Sequence, residues 1–188
     1  MPSPPHTLTI SNFVQSLTSR FSDHEAIVLG NDRLSYRELD RRSGALARGL
    51  IARGVGKGTH VGILMGNGPE WVVAFLAITR IGAVAVPLNT FFQPPELAWV
   101  LRHADVEVLL LAESHLGHDL LAGLCEAVPG LSESSVPELA LDSVPFLRTV
   151  VRWGTREVSW AGCAAELEEA GVRGERFNEH FLAAVEAA

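Results

Sequence analysis

Between residues 61 and 111 the chain alternates apolar runs with helical patterns. The runs 61–65, 83–86 and 106–111 are almost free of polar side chains, as strands covered on both faces should be. Between the first two, Gly68 and Pro69 open a helix and Gly82 closes it, because proline suits the first helical position and glycine the left-handed stop. Over 95–104, Leu97, Val100, Leu101 and Ala104 share one helical face. Such alternation implies parallel pairing through crossovers. The predicted fold class is α/β: a doubly wound, mostly parallel sheet with flanking helices, preceded by a small N-terminal β-hairpin.

The flanks add smaller elements. Residues 26–29 and 33–35 read as the hairpin, with Gly30, Asn31 and Asp32 in its turn. Ser35 followed by Glu38 predicts a reciprocal capping box for a helix ending at Gly54. Leu116, Leu120 and Leu124 mark another helix, and a loop rich in Pro and Ser spans 128–145 before a strand at 147–151. In the tail a strand is expected over 156–160, a helix over 161–170, and a last helix bearing Phe177, Phe181 and Val185. The organisation is thus an N-terminal segment 1–25, a core 26–127, a loop 128–145 and a tail 146–188.

Composition narrows the function classes. The 188 residues are 47% apolar and 20% charged, which fits a folded globular chain and not a disordered one. A formal charge of −7, with Lys57 the only lysine and the arginines scattered, argues against nucleic acid as a partner, since phosphate contacts need clustered basic side chains. Cys125 and Cys163 stand far apart without metal-knuckle spacing. The first residues lack a basic region followed by an apolar one, and no apolar run approaches the roughly 20 residues of a membrane span. A cytoplasmic protein without a transmembrane segment is expected.

Candidate chemistry is sparse. Gly54, Gly56, Lys57, Gly58 and Thr59 superficially resemble a phosphate loop. The spacing is wrong for one, and the run leaves a helix and enters a strand, whereas phosphates sit where a helix begins after a strand. Gly66-Asn67-Gly68 has the correct direction, yet Trp71 stands where the third glycine of a dinucleotide fingerprint belongs. Glu113, His115 and His118 are close in sequence, and His-x-x-His on a helix could present two imidazoles, but a zinc site needs three or four ligands. The acidic group Glu166, Glu168 and Glu169 reads as a solvated helical face. Neither cysteine has a neighbouring histidine, and the serine elbow of α/β-hydrolases is absent.

The order of the motifs carries a resemblance. Leu34-Ser35-Tyr36-Arg37-Glu38-Leu39 resembles the first core motif of the AMP-forming acyl-CoA synthetase and adenylation-domain superfamily. Ile81-Gly82-Ala83-Val84-Ala85-Val86-Pro87-Leu88-Asn89 resembles its second, and the Asn67-Gly68-Pro69-Glu70-Trp71 turn and Glu96-Leu97 continue the pattern. The likeness is good over 10–112 and looser beyond. The P-L-N ending looks more like acyl-CoA or fatty-acyl ligases than amino-acid-activating domains.

The resemblance implies an enzyme that joins a carboxylate to ATP, releases pyrophosphate and passes the acyl group from AMP to coenzyme A. It also implies that the phosphate loop with its lysine, the adenine and ribose motifs and the catalytic C-terminal lysine lie beyond the matched region. No catalytic, cofactor-binding or metal-binding residue is therefore assigned to this chain. ATP, Mg²⁺ and CoA belong to the full-length enzyme, a carboxylic (fatty) acid is its substrate, and the remainder of the ligase polypeptide is the expected partner. A terminal helix without a stop residue is expected to mark an N-terminal fragment, inactive alone. Two other readings stay open: a stand-alone α/β binding module, and a small nucleotide-binding protein using the Gly66 turn.

Overall fold

The computed structural model describes residues 9–136, 139–174 and 177–187. Helix α1 (Ile10–Phe21) leads into the antiparallel pair β1 (Glu25–Leu29) and β2 (Asp32–Ser35). Then come α2 (Tyr36–Ala52), β3 (His60–Leu64), α3 (Pro69–Arg80), β4 (Val84–Pro87), α4 (Pro94–His103) and β5 (Val108–Ala112). A two-residue pair, β6 (Ser114–His115) and β7 (His118–Asp119), precedes α5 (Leu120–Ala127). Beyond a short 3₁₀ turn at Leu131–Glu133 lie β8 (Thr149–Trp153), β9 (Gly162–Cys163), α6 (Ala164–Arg173) and α7 (Glu179–Glu186).

The five-stranded sheet runs in the order β4-β3-β5-β8-β9, with parallel pairing throughout. Apolar side chains alternate across it. Val61, Ile63, Val108 and Leu110 face a core shared with α2, α3 and α6, while Leu64, Leu109, Leu111 and Val150 face one shared with α4 and α5. This period of two is what allows each buried strand to serve both layers.

Local signals explain the element ends. The Ser35 hydroxyl accepts from the Glu38 amide at 3.2 Å, starting α2. The predicted capping box is only half made, because the Glu38 carboxylate turns instead to Arg41, at 2.6 and 2.9 Å; an ion pair one turn along replaces the return bond to the cap. Gly54 (φ 86°) and Gly82 (φ 70°) both adopt the left-handed conformation that stops a helix.

Three expectations need correction. Leu116 does not start a helix: it and Gly117 have φ of 48° and 83°, both central positions of a two-residue hairpin turn. His115 and His118 are consequently cross-strand partners on β6 and β7 and share no helical face. The last strand is Gly162–Cys163, not 156–160, which is irregular, and the following helix starts three residues later than expected, at Ala164.

Helices α2 and α6 cross at backbone contact. A β-carbon on Gly171 would lie 2.0 Å from the Ala45 carbonyl oxygen, and one on Gly49 would lie 2.3 Å from that of Leu167. Arg48, buried at this crossing, donates its Nε–H to the Gly171 carbonyl at 2.7 Å. α7 packs over the same layer through Leu182, and its Glu186 pairs with the buried Arg80, which also holds Asp40 at 2.7 Å.

Candidate functional site

In this strand order the chain leaves β3 for β4 on one side and later returns to β5 on the other. Ligands in doubly wound sheets bind outside the carboxyl ends of strands at such a switch point. Four loops converge there, those following β3, β4, β5 and β8, and each is shaped by an identifiable local bond.

After β3, the turn at Gly66 lies directly under the His115 imidazole, since a β-carbon on Gly66 would sit 2.1 Å from its Cε1. A side chain of the same protein thus occupies the space beside this glycine. The Gly68 amide region opens α3 with Pro69 at the first helical position, where no N–H is available. Trp71 stacks on Phe75, with ring centroids 5.3 Å apart. The turn thus has His115 over Gly66 and one amide fewer at the start of α3.

After β4, the Asn89 Oδ1 accepts from the Phe91 amide at 3.0 Å and the Glu96 carboxylate accepts from the Gln93 amide at 2.8 Å, starting α4. The residues that carry the second motif are thus turn and cap residues. Phe91 is half exposed and stands edge-on to both His115 and His118, with centroids 6.3 and 5.3 Å away.

After β5 and β8 a charged cluster links the strand ends. Glu113 accepts from the Arg156 amide and lies 3.5 Å from Arg152 Nη1. Arg152, 6% exposed, leaves its Nε without a partner while Nη1 donates to the Gly154 carbonyl at 2.9 Å. Arg156 pairs with Asp119 at 2.7 Å. Asp119 also caps α5 by accepting from the Ala122 amide at 3.0 Å. That amide, followed by the Arg156 guanidinium, holds the Asp119 carboxyl below its ordinary range.

Between the 89–94 loop and the first turn of α5 is a cleft of about 260 Å³, with Leu64 in its wall and Phe91, Gln93 and His118 at its mouth. Of the candidates drawn from the sequence, His115, His118 and Glu113 lie near one another at this end of the sheet. Among the described residues no group of three or more His, Cys, Asp or Glu could hold a metal ion. The Gly54–Thr59 run lies at the opposite end, where the Thr59 hydroxyl accepts from the Gly56 amide at 3.1 Å. Cys125 and Cys163 are both free thiols, and burial pushes the Cys125 thiol up. Sequence reasoning missed Arg152 and Arg156, whose roles depend on β8 ending beside β5.

The class defined by these features is a doubly wound α/β domain with a topological switch point between β3 and β5. The chain matches the family of AMP-binding enzymes over residues 14–169, and it belongs to that family. It is 31% identical over 143 residues to the acyl-CoA ligase sidI of Aspergillus fumigatus, covering 75% of this chain and 24% of that protein. It is 32% identical over 114 residues to tyrocidine synthase 1 of Brevibacillus parabrevis, covering 60% of this chain and 10% of the synthase. The crystal structure of the anthranilate CoA ligase AuaEII in complex with anthranoyl-AMP has the same fold, at a TM-score of 0.73 and 21% identity, over 88% of this chain and 29% of that one. The chain spans about a quarter of the length of the curated acyl-CoA ligases it matches. Among the described residues no helix is long and apolar enough to cross a membrane.

Proposed function

We propose that these residues form the N-terminal scaffold of an ATP-dependent acyl-CoA synthetase, which adenylates a carboxylic acid and transfers the acyl group to coenzyme A, and that they have no ligase activity alone. The observation that carries this reading is what the family motifs do. Ser35, Asn89 and Glu96 are spent on capping and turns, and Gly66 is filled by His115. Stabilising transferring phosphates needs preorganised amides, cations and a metal at one place. At the Gly66 turn Pro69 takes the first helical position without an N–H to offer, and among the described residues no group of three or more His, Cys, Asp or Glu could hold a metal ion. No chemical step with ATP or Mg²⁺ is assigned to this chain.

The motifs instead set the positions of the four loops against which the rest of a ligase would pack, with the fatty or other carboxylic acid held mainly by that remainder. The test is ATP–pyrophosphate exchange with a panel of carboxylic acids. The 188-residue chain should give no exchange above background, whereas a polypeptide extended by the coding sequence after Ala188 should give it. Robust exchange by the 188 residues alone overturns the reading.

A further inference from the structure

Helix α7 rests on α1, α2 and α3 through one face. Glu179, Leu182 and Glu186 follow one another at i, i+3 and i+7, which places them on that face. Two of its side chains are closely held, Leu182 at 3% exposed and Glu186 at 5%. Its start is self-contained, since Asn178 Oδ1 accepts from the Phe181 amide at 3.0 Å. Voids of about 320 and 520 Å³ flank it: Leu182 and Ala183 border the first, Phe181 and Val185 the second.

The seat beneath α7 is held in place by bonds that α7 does not make. A β-carbon on Gly44 would lie 3.6 Å from Leu182 Cδ2, 3.6 Å from Arg80 Nη1 and 3.7 Å from Arg48 Nη1, so this glycine leaves a notch for the leucine beside two guanidinium groups. Arg80 Nη1 donates to the Asp40 carbonyl at 3.0 Å, to Asp40 Oδ1 at 2.7 Å and to Ser43 Oγ at 2.9 Å. Arg48 donates its Nε–H to Gly171, and among the described residues it makes no direct ion pair. Both cations are thus fixed from α2 and α6.

What α7 adds is two carboxylates and a leucine. Glu186 accepts from Arg80 Nε with one oxygen and from Gln15 Nε2, at 2.9 Å, with the other. Glu179 is the carboxylate whose charge acts on Arg48. Without α7, Asp40 would still pair with Arg80, but the Arg48 charge would have no carboxylate near it and Arg80 Nε no acceptor. Cations oriented in advance recognise a carboxylate with little further ordering.

We propose that this seat is a docking site for an acidic amphipathic helix, a leucine with one carboxylate three residues before it and another four residues after it. Its resident is α7, which a helix of the same pattern from another polypeptide can replace. The site does not depend on whether the chain activates any acid.

The probe is a fluorescein-labelled peptide of residues 177–187, titrated into the whole chain carrying Glu186→Lys, whose own α7 then sets a cation against Arg80. Fluorescence anisotropy should show saturable binding, roughly tenfold or more tighter than to the unaltered chain, where α7 competes. Peptides bearing Glu186→Lys or Leu182→Ala should bind roughly tenfold more weakly. Arg80→Met added to the chain variant should abolish the preference for glutamate over lysine in the peptide. A second measurement needs no variant: in the unaltered chain the Leu182 and Ala187 amides should exchange with solvent roughly tenfold or more faster than that of Leu46 in α2, and faster still with excess peptide. No saturable binding, equal binding of the three peptides, equal affinity of the two chains, or α7 amides as protected as Leu46 overturns the proposal. Dimerisation of the unaltered chain with no gain in peptide binding from Glu186→Lys also overturns it, in favour of α7 exchange between copies.

Discussion

Gly171→Ala tests the helix crossing on which the α2 and α6 layer depends. On helix propensity alone the change should stabilise α6 by about 0.5–1 kcal/mol. The structure demands the opposite. The new methyl carbon would sit 2.0 Å from the Ala45 carbonyl oxygen and 2.9 Å from the Gly49 nitrogen. Both obstacles are backbone inside a buried helix, so neither can swing aside. Restoring an ordinary 3.4 Å separation requires α6 to retreat by about 1.4 Å. That retreat lengthens the Arg48 to Gly171 bond, now 2.7 Å, past any useful hydrogen-bond distance. Overpacking of this kind costs about 1–3 kcal/mol, and a lost bond to a charged group about 1.5–3 kcal/mol. With the propensity gain subtracted, a net loss of about 1.5–5.5 kcal/mol is expected. For a chain of this size that lowers the melting temperature by roughly 3–22 °C. The assay is thermal unfolding followed by far-UV circular dichroism, with Gly123→Ala as the control. Gly123 is also helical, yet a β-carbon there meets nothing within 4 Å. The control should be neutral or slightly stabilised. Equal stability of Gly171→Ala and Gly123→Ala would refute the crossing geometry.

Three further outcomes can be measured. Gly82→Val should cost well over 1 kcal/mol, because φ is 70° and a β-branched residue is strained there; an unchanged urea midpoint would contradict the placement of the α3 stop. Gly66→Ala should destabilise less than Gly171→Ala, because the obstacle is the His115 side chain, which can rotate, and the double variant Gly66→Ala/His115→Ala should recover most of the loss. Asp119→Ala should cost about 1 kcal/mol at pH 7, as losing an N-cap does. The Asp119 carboxyl is held below its ordinary value of 3.8 in the folded chain, so its charge-dependent contribution is present above that value and is lost as pH falls through the lowered one. The gap between variant and parent should therefore narrow in titrations below about pH 4; a gap constant down to pH 2 would show that the Asp119 charge plays no part.

Much of the architecture was determined by sequence because the signals are local. Strands β3, β4 and β5 announce themselves by length and apolar continuity, and α3 by Pro69 at its start and Gly82 at its end. The motif order that places the chain among the AMP-binding enzymes is also local, and it matches over 14–169. What Gly66 does was not legible. As sequence it could have been a phosphate turn, and only the fold shows His115, forty-nine positions later, pressed against it. The His115 and His118 hairpin was hidden for a related reason: Leu116 takes a positive φ that its residue type does not advertise.

Other features depend wholly on contacts between distant segments. The Glu113, Arg152, Arg156 and Asp119 cluster exists because β8 lies beside β5, and no spacing rule links those positions. Gly49 and Gly171 look like weak points of two helices, yet they are what allows the helices to touch. The sequence alone determined the elements from β1 to β5 and which face they bury, because propensity and periodicity act within a few residues. The tertiary structure decided which glycines lie against another segment and which charges are neutralised, because those depend on which distant backbone or carboxylate arrives at a given place.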